Sequence, residues 1–191
     1  MQQLTEIRWH ARAGQGAVTA AKLVAETALE LDQYMQAMPE YGPERMGAPI
    51  QAFTRISSAP IEIHNNIERP DVVVVLDESL LSIVDVVRGL KDDGIVIVNT
   101  CTPPADVRVR LGRTTGRVAC VDASGISLDK LKRDMPNTPM IGALAKVTGL
   151  FEVDAVCDHL TKTFGKKFAQ EVIDANVASV RSAYEEVSID G

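Results

Sequence analysis

The sequence predicts an α/β fold: one three-layer α/β/α domain on a mainly parallel sheet that can include antiparallel, mixed pairs. Three observations carry this. The chain opens with a strand, a glycine turn and a helix in succession. Short apolar segments alternate with helical patterns along its length, the order of a layered α/β domain. Residues 72–75 are four consecutive valines, a run apolar on both faces that suits a central parallel strand covered on each side.

Element by element, Leu4–Ala11 alternates in polarity and is short, which predicts a strand. Residues 12–16 turn on Gly14 and Gly16, and Ala17–Leu31 is rich in helix formers. Tyr34–Met38 predicts a second strand. Pro39–Pro49 holds too many prolines and glycines to be anything but a loop. Gln51–Ser57 predicts a strand, with Ile61–His64 as an antiparallel partner across the Ser58-Ala59-Pro60 turn. Asp71–Leu76 is the valine strand. Ser79–Leu90 then predicts a helix capped by Asp77 or Ser79. Ile95–Val98 and Val118–Val121 predict further buried strands. Ser127–Met135, Met140–Leu150, Glu152–Phe164 and Phe168–Val187 predict helices, the first capped by Ser127 and the last two amphipathic.

Composition sets outer limits. The 191 residues, read as one domain over 1–191, suffice for a sizeable core. A net charge of -6 without any basic block argues against nucleic acid as a partner. No apolar run approaches the roughly 20 residues that span a bilayer, and the N-terminus lacks the basic-then-apolar order of a signal peptide. The expectations are no membrane partner and a cytoplasmic location. Cys101, Cys120 and Cys157 form no CxxC pair, and His10, His64 and His159 lie far apart. Neither a metal site nor an iron–sulfur cluster is expected on this chain. Clusters for any electron transfer would sit elsewhere.

Three segments could carry chemistry. In Arg12-Ala13-Gly14-Gln15-Gly16-Ala17-Val18-Thr19, glycines let the backbone turn and let a ligand approach it. The helix that follows offers free N–H groups suited to phosphate. The third glycine of the dinucleotide fingerprint is absent, and so is a clear ribose-binding acid. A ligand or phosphate contact at Gly14, Gln15, Gly16 and Thr19, with Lys22 behind them, stands beside the plainer reading of a strand-to-helix turn. The loop Met38–Pro49 holds Glu40, Tyr41, Glu44, Arg45 and Gly47 in a rigid frame. Tyr41, Glu44, Arg45 and Gly47 are the candidate subunit contacts, against an ordered surface loop as the alternative. In Asn137-Thr138-Pro139-Met140-Ile141-Gly142-Ala143-Leu144, Thr138 would cap a helix starting at Pro139. Gly142 and Ala143 would permit close packing there. No catalytic residue can be named.

These segments together resemble the gamma subunit of the 2-oxoacid:ferredoxin oxidoreductases. The resemblance runs through Ile7–Lys22, Tyr41–Pro49, Phe53–Ser57 and Asn137–Leu144, with Asn176-Val177 and Ala183-Tyr184 in the last helix. One departure is Ala13, where the family usually shows a glycine; a positive φ there would strain alanine. The resemblance implies a subunit of a cytoplasmic complex that oxidatively decarboxylates pyruvate or another 2-oxoacid to acyl-CoA and reduces ferredoxin. Thiamine diphosphate, magnesium and iron–sulfur clusters would lie on alpha, beta and delta type partners, with none on this chain. Coenzyme A would be a substrate whose site this chain helps to shape, and ferredoxin an indirect partner. The isolated chain would have no activity. Parted from its partners it would expose apolar surface and could homodimerise. Two other readings stay open: a free-standing nucleotide-binding oxidoreductase domain, and the related indolepyruvate-type small subunit.

Overall fold

The computed structural model describes residues 4–39 and 46–191. Among these residues seven strands form one sheet: β1 (Leu4–Arg12), β2 (Tyr34–Pro39), β3 (Pro49–Ser57), β4 (Val72–Val75), β5 (Ile95–Asn99), β6 (Arg117–Val121) and β7 (Ser188–Asp190). Their order is β2-β3-β1-β4-β5-β6-β7. The centre is parallel: β1 with β4, β4 with β5, and β5 with β6. The pairs β1–β3, β2–β3 and β6–β7 are antiparallel, so the sheet is mixed.

Among the described residues six α-helices accompany it: α1 (Ala17–Glu30), α2 (Pro104–Arg110), α3 (Ala123–Leu131), α4 (Asn137–Thr148), α5 (Val153–Phe164) and α6 (Gln170–Glu186). The pleat sends Val72, Val74, Ile95 and Ile97 into a core shared with α1, α4, α5 and α6. Val73, Val75, Val96 and Val98 enter a second core on the other face, closed by α2, Leu80, Val86 and Leu90. The valine strand is therefore apolar on both faces because both are covered. The second layer is thin, with one short helix and irregular chain.

Within the larger core, α4 and α6 cross with their backbones in contact. A Cβ on Gly142 would lie 2.0 Å from the Val180 carbonyl oxygen. Trp9 is fully buried, and its indole N–H donates to Thr54, whose hydroxyl donates to the Ala21 carbonyl. That chain of bonds ties α1 onto β1 and β3.

Several expectations need correction. Ile61–His64 is not a strand. β3 already has β1 and β2 on its two edges, and the Ile63 carbonyl instead accepts from the buried Arg55 guanidinium. Ser79–Leu90 is not one helix: a 3-10 turn over Glu78–Ser82 is followed by irregular turns. The β-branched run through Ile83, Val84, Val86 and Val87 favours helix poorly. The Val86 and Arg88 carbonyls are taken by Arg8 rather than by an i+4 amide. Asp77 does cap the turn, accepting from the Ser79 N–H. α3 starts four residues earlier than expected, capped by Asp122, and Ser127 lies buried within it. α4 begins at Asn137, so Thr138 sits inside its first turn and caps nothing. α2 and β7 had no reading in the sequence. The Val107-Arg108-Val109-Arg110 alternation imitates a strand, and β7 is three residues long.

Candidate functional site

β1 ends at Arg12, between β3 on one side and β4 on the other. From β1 the chain crosses over α1 to the β2–β3 edge, whereas from β4 it proceeds to β5 on the opposite side. The carboxyl ends of β1 and β4 therefore flank a point where strand order reverses, a place where open α/β sheets form crevices.

The turn at this point is held on several sides. Gly14 and Gly16 have φ of 102° and 82°, the region glycine alone enters without cost. Ala13 is not among the positive-φ residues, so alanine carries no strain there. Its N–H donates to the Ala48 carbonyl at 2.8 Å, and Gly47 N–H donates back to the Ala13 carbonyl at 3.1 Å. Beside this stitch, a Cβ on Gly14 would lie 2.9 Å from the Met46 sulfur.

The Gln15 amide is spent on the fold. Its Oε1 accepts from the Arg12 N–H at 2.8 Å and its Nε2 donates to Asp77 Oδ2 at 3.0 Å. The Arg12 guanidinium bonds the Ser79 hydroxyl and the Gly47 carbonyl and lies 3.2 Å from Asp77. Partial burial pushes the Asp77 carboxyl up, but bonds from Ser79 and Gln15 and the Arg12 charge outweigh it and hold it below the ordinary range. Next to it, Thr100 chiefly, against partial burial, and then Arg110 hold the Glu78 carboxyl low.

The other side of Gly16 meets α4. A Cβ there would lie 2.7 Å from the Asn137 amide nitrogen, so glycine is what lets the first turns of α1 and α4 touch. Their junction opens into a cavity of about 440 Å³. Gly16, Val18 and Thr19 form one wall and Asn137 and Thr138 another. Phe164, Phe168 and Val172 supply apolar surface, and Lys22, Arg133 and Lys167 stand at its margin. At the α1–α5 border, His159 lies 3.4 Å from Glu26 and 3.2 Å from Glu30. Lys162 pairs with Glu30 as well.

Two of the motifs singled out in the sequence thus meet: Gly16 and Thr19 share a cavity with Asn137 and Thr138. Gly14 and Gln15 are not among its walls; they face Met46 and Asp77. Of the loop candidates, Gly47 is stitched to Ala13, while Glu40, Tyr41, Glu44 and Arg45 lie outside the described residues. Arg133, Lys167, Phe164 and Phe168 were not foreseen. Arg133 comes from the α3–α4 connection, Phe164 from the end of α5, and Lys167 and Phe168 from the α5–α6 connection, and no local pattern marks them as neighbours. Among the described residues, no three His, Cys, Asp or Glu side chains converge to hold a metal, and no helix is long and apolar enough to cross a membrane. The three cysteines are free, with Cys101 exposed.

Residues 6–186 match the model of the pyruvate ferredoxin/flavodoxin oxidoreductase family. The chain belongs to this family. It is 53% identical over 182 residues to the pyruvate synthase subunit PorC of Thermotoga maritima, covering 95% of this chain and 94% of that one. It is 45% identical over 186 residues to the pyruvate/ketoisovalerate oxidoreductases common subunit gamma of Pyrococcus furiosus, covering 97% and 98%. The crystal structure of the pyruvate oxidoreductase subunit PORC from Thermotoga maritima superposes with a TM-score of 0.88 at 48% identity, over 99% of both chains. Family membership therefore spans both motifs that meet at Gly16 and Asn137, and the whole seven-stranded sheet lies within the matched fold.

Proposed function

We propose that this chain is the gamma-type subunit of a pyruvate:ferredoxin oxidoreductase complex, one that oxidatively decarboxylates pyruvate or another 2-oxoacid to acyl-CoA and reduces ferredoxin. The observation that carries the reading is near-full-length identity of 53% with a pyruvate synthase subunit. Residues 1–191 act as one unit of that complex. The partners are alpha, beta and delta type chains in the cytoplasm, and they carry thiamine diphosphate, magnesium and the clusters. No step of the oxidation is assigned to a side chain of this subunit, and the isolated chain is inactive.

Two surfaces serve the complex. The Gly14–Thr19 turn is the ligand or phosphate contact, helping to shape the coenzyme A approach. The loop with Tyr41, Glu44, Arg45 and Gly47 is the subunit contact. Without partners, exposed Val18, Leu29, Leu31 and Tyr34 favour self-association of the isolated chain.

The test is an anaerobic affinity pull-down of the tagged chain from its own cells, with mass spectrometry and an activity assay. Recovery of thiamine- and cluster-bearing chains with coenzyme A-dependent pyruvate oxidation is the expected result. Recovery of the chain alone would overturn the reading.

A further inference from the structure

His159 is buried on α5, 7% exposed, and its ring lies between two carboxylates of α1. Nε2 is 3.4 Å from Glu26 Oε2 and Nδ1 is 3.2 Å from Glu30 Oε1. Glu26 and Glu30 stand four residues apart, so both project from one face of α1 and bracket the imidazole. Nε2 also lies 3.2 Å from the Thr163 hydroxyl, one turn along α5. Nδ1 is buried and has no aligned hydrogen-bond partner among the described residues. A buried polar atom in that position calls for an explanation.

The chemistry of the ring supplies one. A neutral imidazole has one donor and one acceptor nitrogen, so it can serve one of these carboxylates and must turn a lone pair toward the other. The imidazolium donates from both nitrogens and attracts both carboxylates. Thr163 makes the two states exchangeable, because its hydroxyl can donate to a bare Nε2 or accept from a protonated one. Burial penalises the charged ring, and the two carboxylates offset that cost only while α5 stays seated on α1. Lys162 first, and His159 after it, hold the Glu30 carboxyl below its ordinary range.

The other charges around α5 are engaged elsewhere. Lys162 pairs with Glu30 at 3.1 Å and Lys22 with Glu26 at 3.5 Å. From α6, Arg181 pairs with Asp154 in the first turn of α5, and from α4, Lys146 lies over the Tyr184 ring. Asp158, next to His159 in the chain, is exposed.

We propose that His159 is a proton-operated clamp between α5 and α1. Uptake of a proton makes Glu26 and Glu30 simultaneous partners of the ring and tightens α5 on α1; loss of the proton returns Nε2 to the Thr163 hydroxyl and loosens the contact. The clamped state therefore belongs to the acid side and is lost as pH rises. Glu26 and Thr163 both line the cavity between α1, α4 and α5, so the clamp acts on one border of it.

The test is hydrogen exchange of the full chain, with protection of the α5 amides over 157–164 measured at about pH 8 and about pH 5.5, on either side of the ordinary imidazole range. Wild type is compared with E26Q/E30Q, whose substituted side chains are at least partly exposed, so the variant should fold with the ring intact. Acidification should raise α5 protection in wild type about fivefold more than in the double variant, the scale of one or two partly exposed ion pairs. His10 is common to both chains, so its acid sensitivity cancels in the comparison. His159→Gln should lose the same response, and about 1 M salt should shrink it in wild type. An equal response in wild type and E26Q/E30Q would overturn the proposal, as would wild-type protection that falls, against that variant, on acidification. The measurement is made on this chain alone, so its failure leaves membership of the complex, tested by co-purification, unaffected.

Discussion

His10 should make this protein acid-sensitive well above the range where its carboxylates titrate. The imidazole is 3% exposed, and its Nε2 accepts from Arg8 Nε at 3.1 Å. Burial, and after it the Arg8 charge, push its pKa from 6.5 down to about 3. Above pH 6.5 both folded and unfolded chains hold it neutral. Below that value only the unfolded chain takes up the proton, so stability falls with pH until the folded imidazole itself titrates near 3. At pH 5 the separation from the unfolded pKa is 1.5 units, which at 1.36 kcal/mol per unit is about 2 kcal/mol. The complete shift of 3.5 units is worth about 5 kcal/mol. Asp77 and Glu78, whose pKa values are lowered, retain their stabilising contribution until the pH falls below their unfolded values of 3.8 and 4.5. Between pH 6.5 and 5 the His10 effect is therefore distinct from theirs. The assay is urea unfolding followed by the fluorescence of Trp9, the single tryptophan, which is fully buried. Wild type and His10→Gln, whose amide oxygen can still accept from Arg8, are compared at about pH 7 and about pH 5. Wild type should lose about 2 kcal/mol more than the variant over that interval. Parallel losses would refute the assignment of the acid sensitivity to His10.

Two further perturbations probe the packing that frames the cavity. Gly142→Ala puts a methyl 2.0 Å from the Val180 carbonyl oxygen, a backbone atom that cannot swing away. The helices must part, and the cost should reach about 3 kcal/mol in a urea midpoint measurement, at the upper end for overpacking; a loss under about 0.5 kcal/mol would show that α4 and α6 do not cross this closely. Arg55 is 1% exposed and holds Glu6 at 2.8 Å together with the Ile63 carbonyl and the Asn65 side chain. Arg55→Met should cost about 3 kcal/mol by stranding these partners, and Glu6→Gln added to it should cost less than the sum of the two single changes; strict additivity would mean that the pair is not coupled.

The sequence by itself determined the elements that depend on local pattern. Strand and helix periodicity located β1, α1, the valine strand and the last helices, because each buries a face whose residues recur at the element's own period. A turn was legible at Gly14 and Gly16 from the glycines themselves, and the structure gives both a positive φ. The combination of that turn with the Tyr41–Pro49 and Asn137–Leu144 motifs was legible too, as a resemblance, and it led to the family. What only the tertiary structure decided was pairing and juxtaposition. β3 takes β1 and β2 on its two edges, which leaves Ile61–His64 without a strand partner. Residues 79–90 forgo a helix where Arg8, from a strand 78 residues away, takes the Val86 carbonyl. Gln15, a candidate ligand contact by motif, is consumed by Asp77. Asn137, by motif only the residue before a helix cap, becomes the buried wall of a cavity against Gly16. Each of these outcomes depends on which backbone groups and charges meet across distant segments, and a one-dimensional pattern carries no record of that.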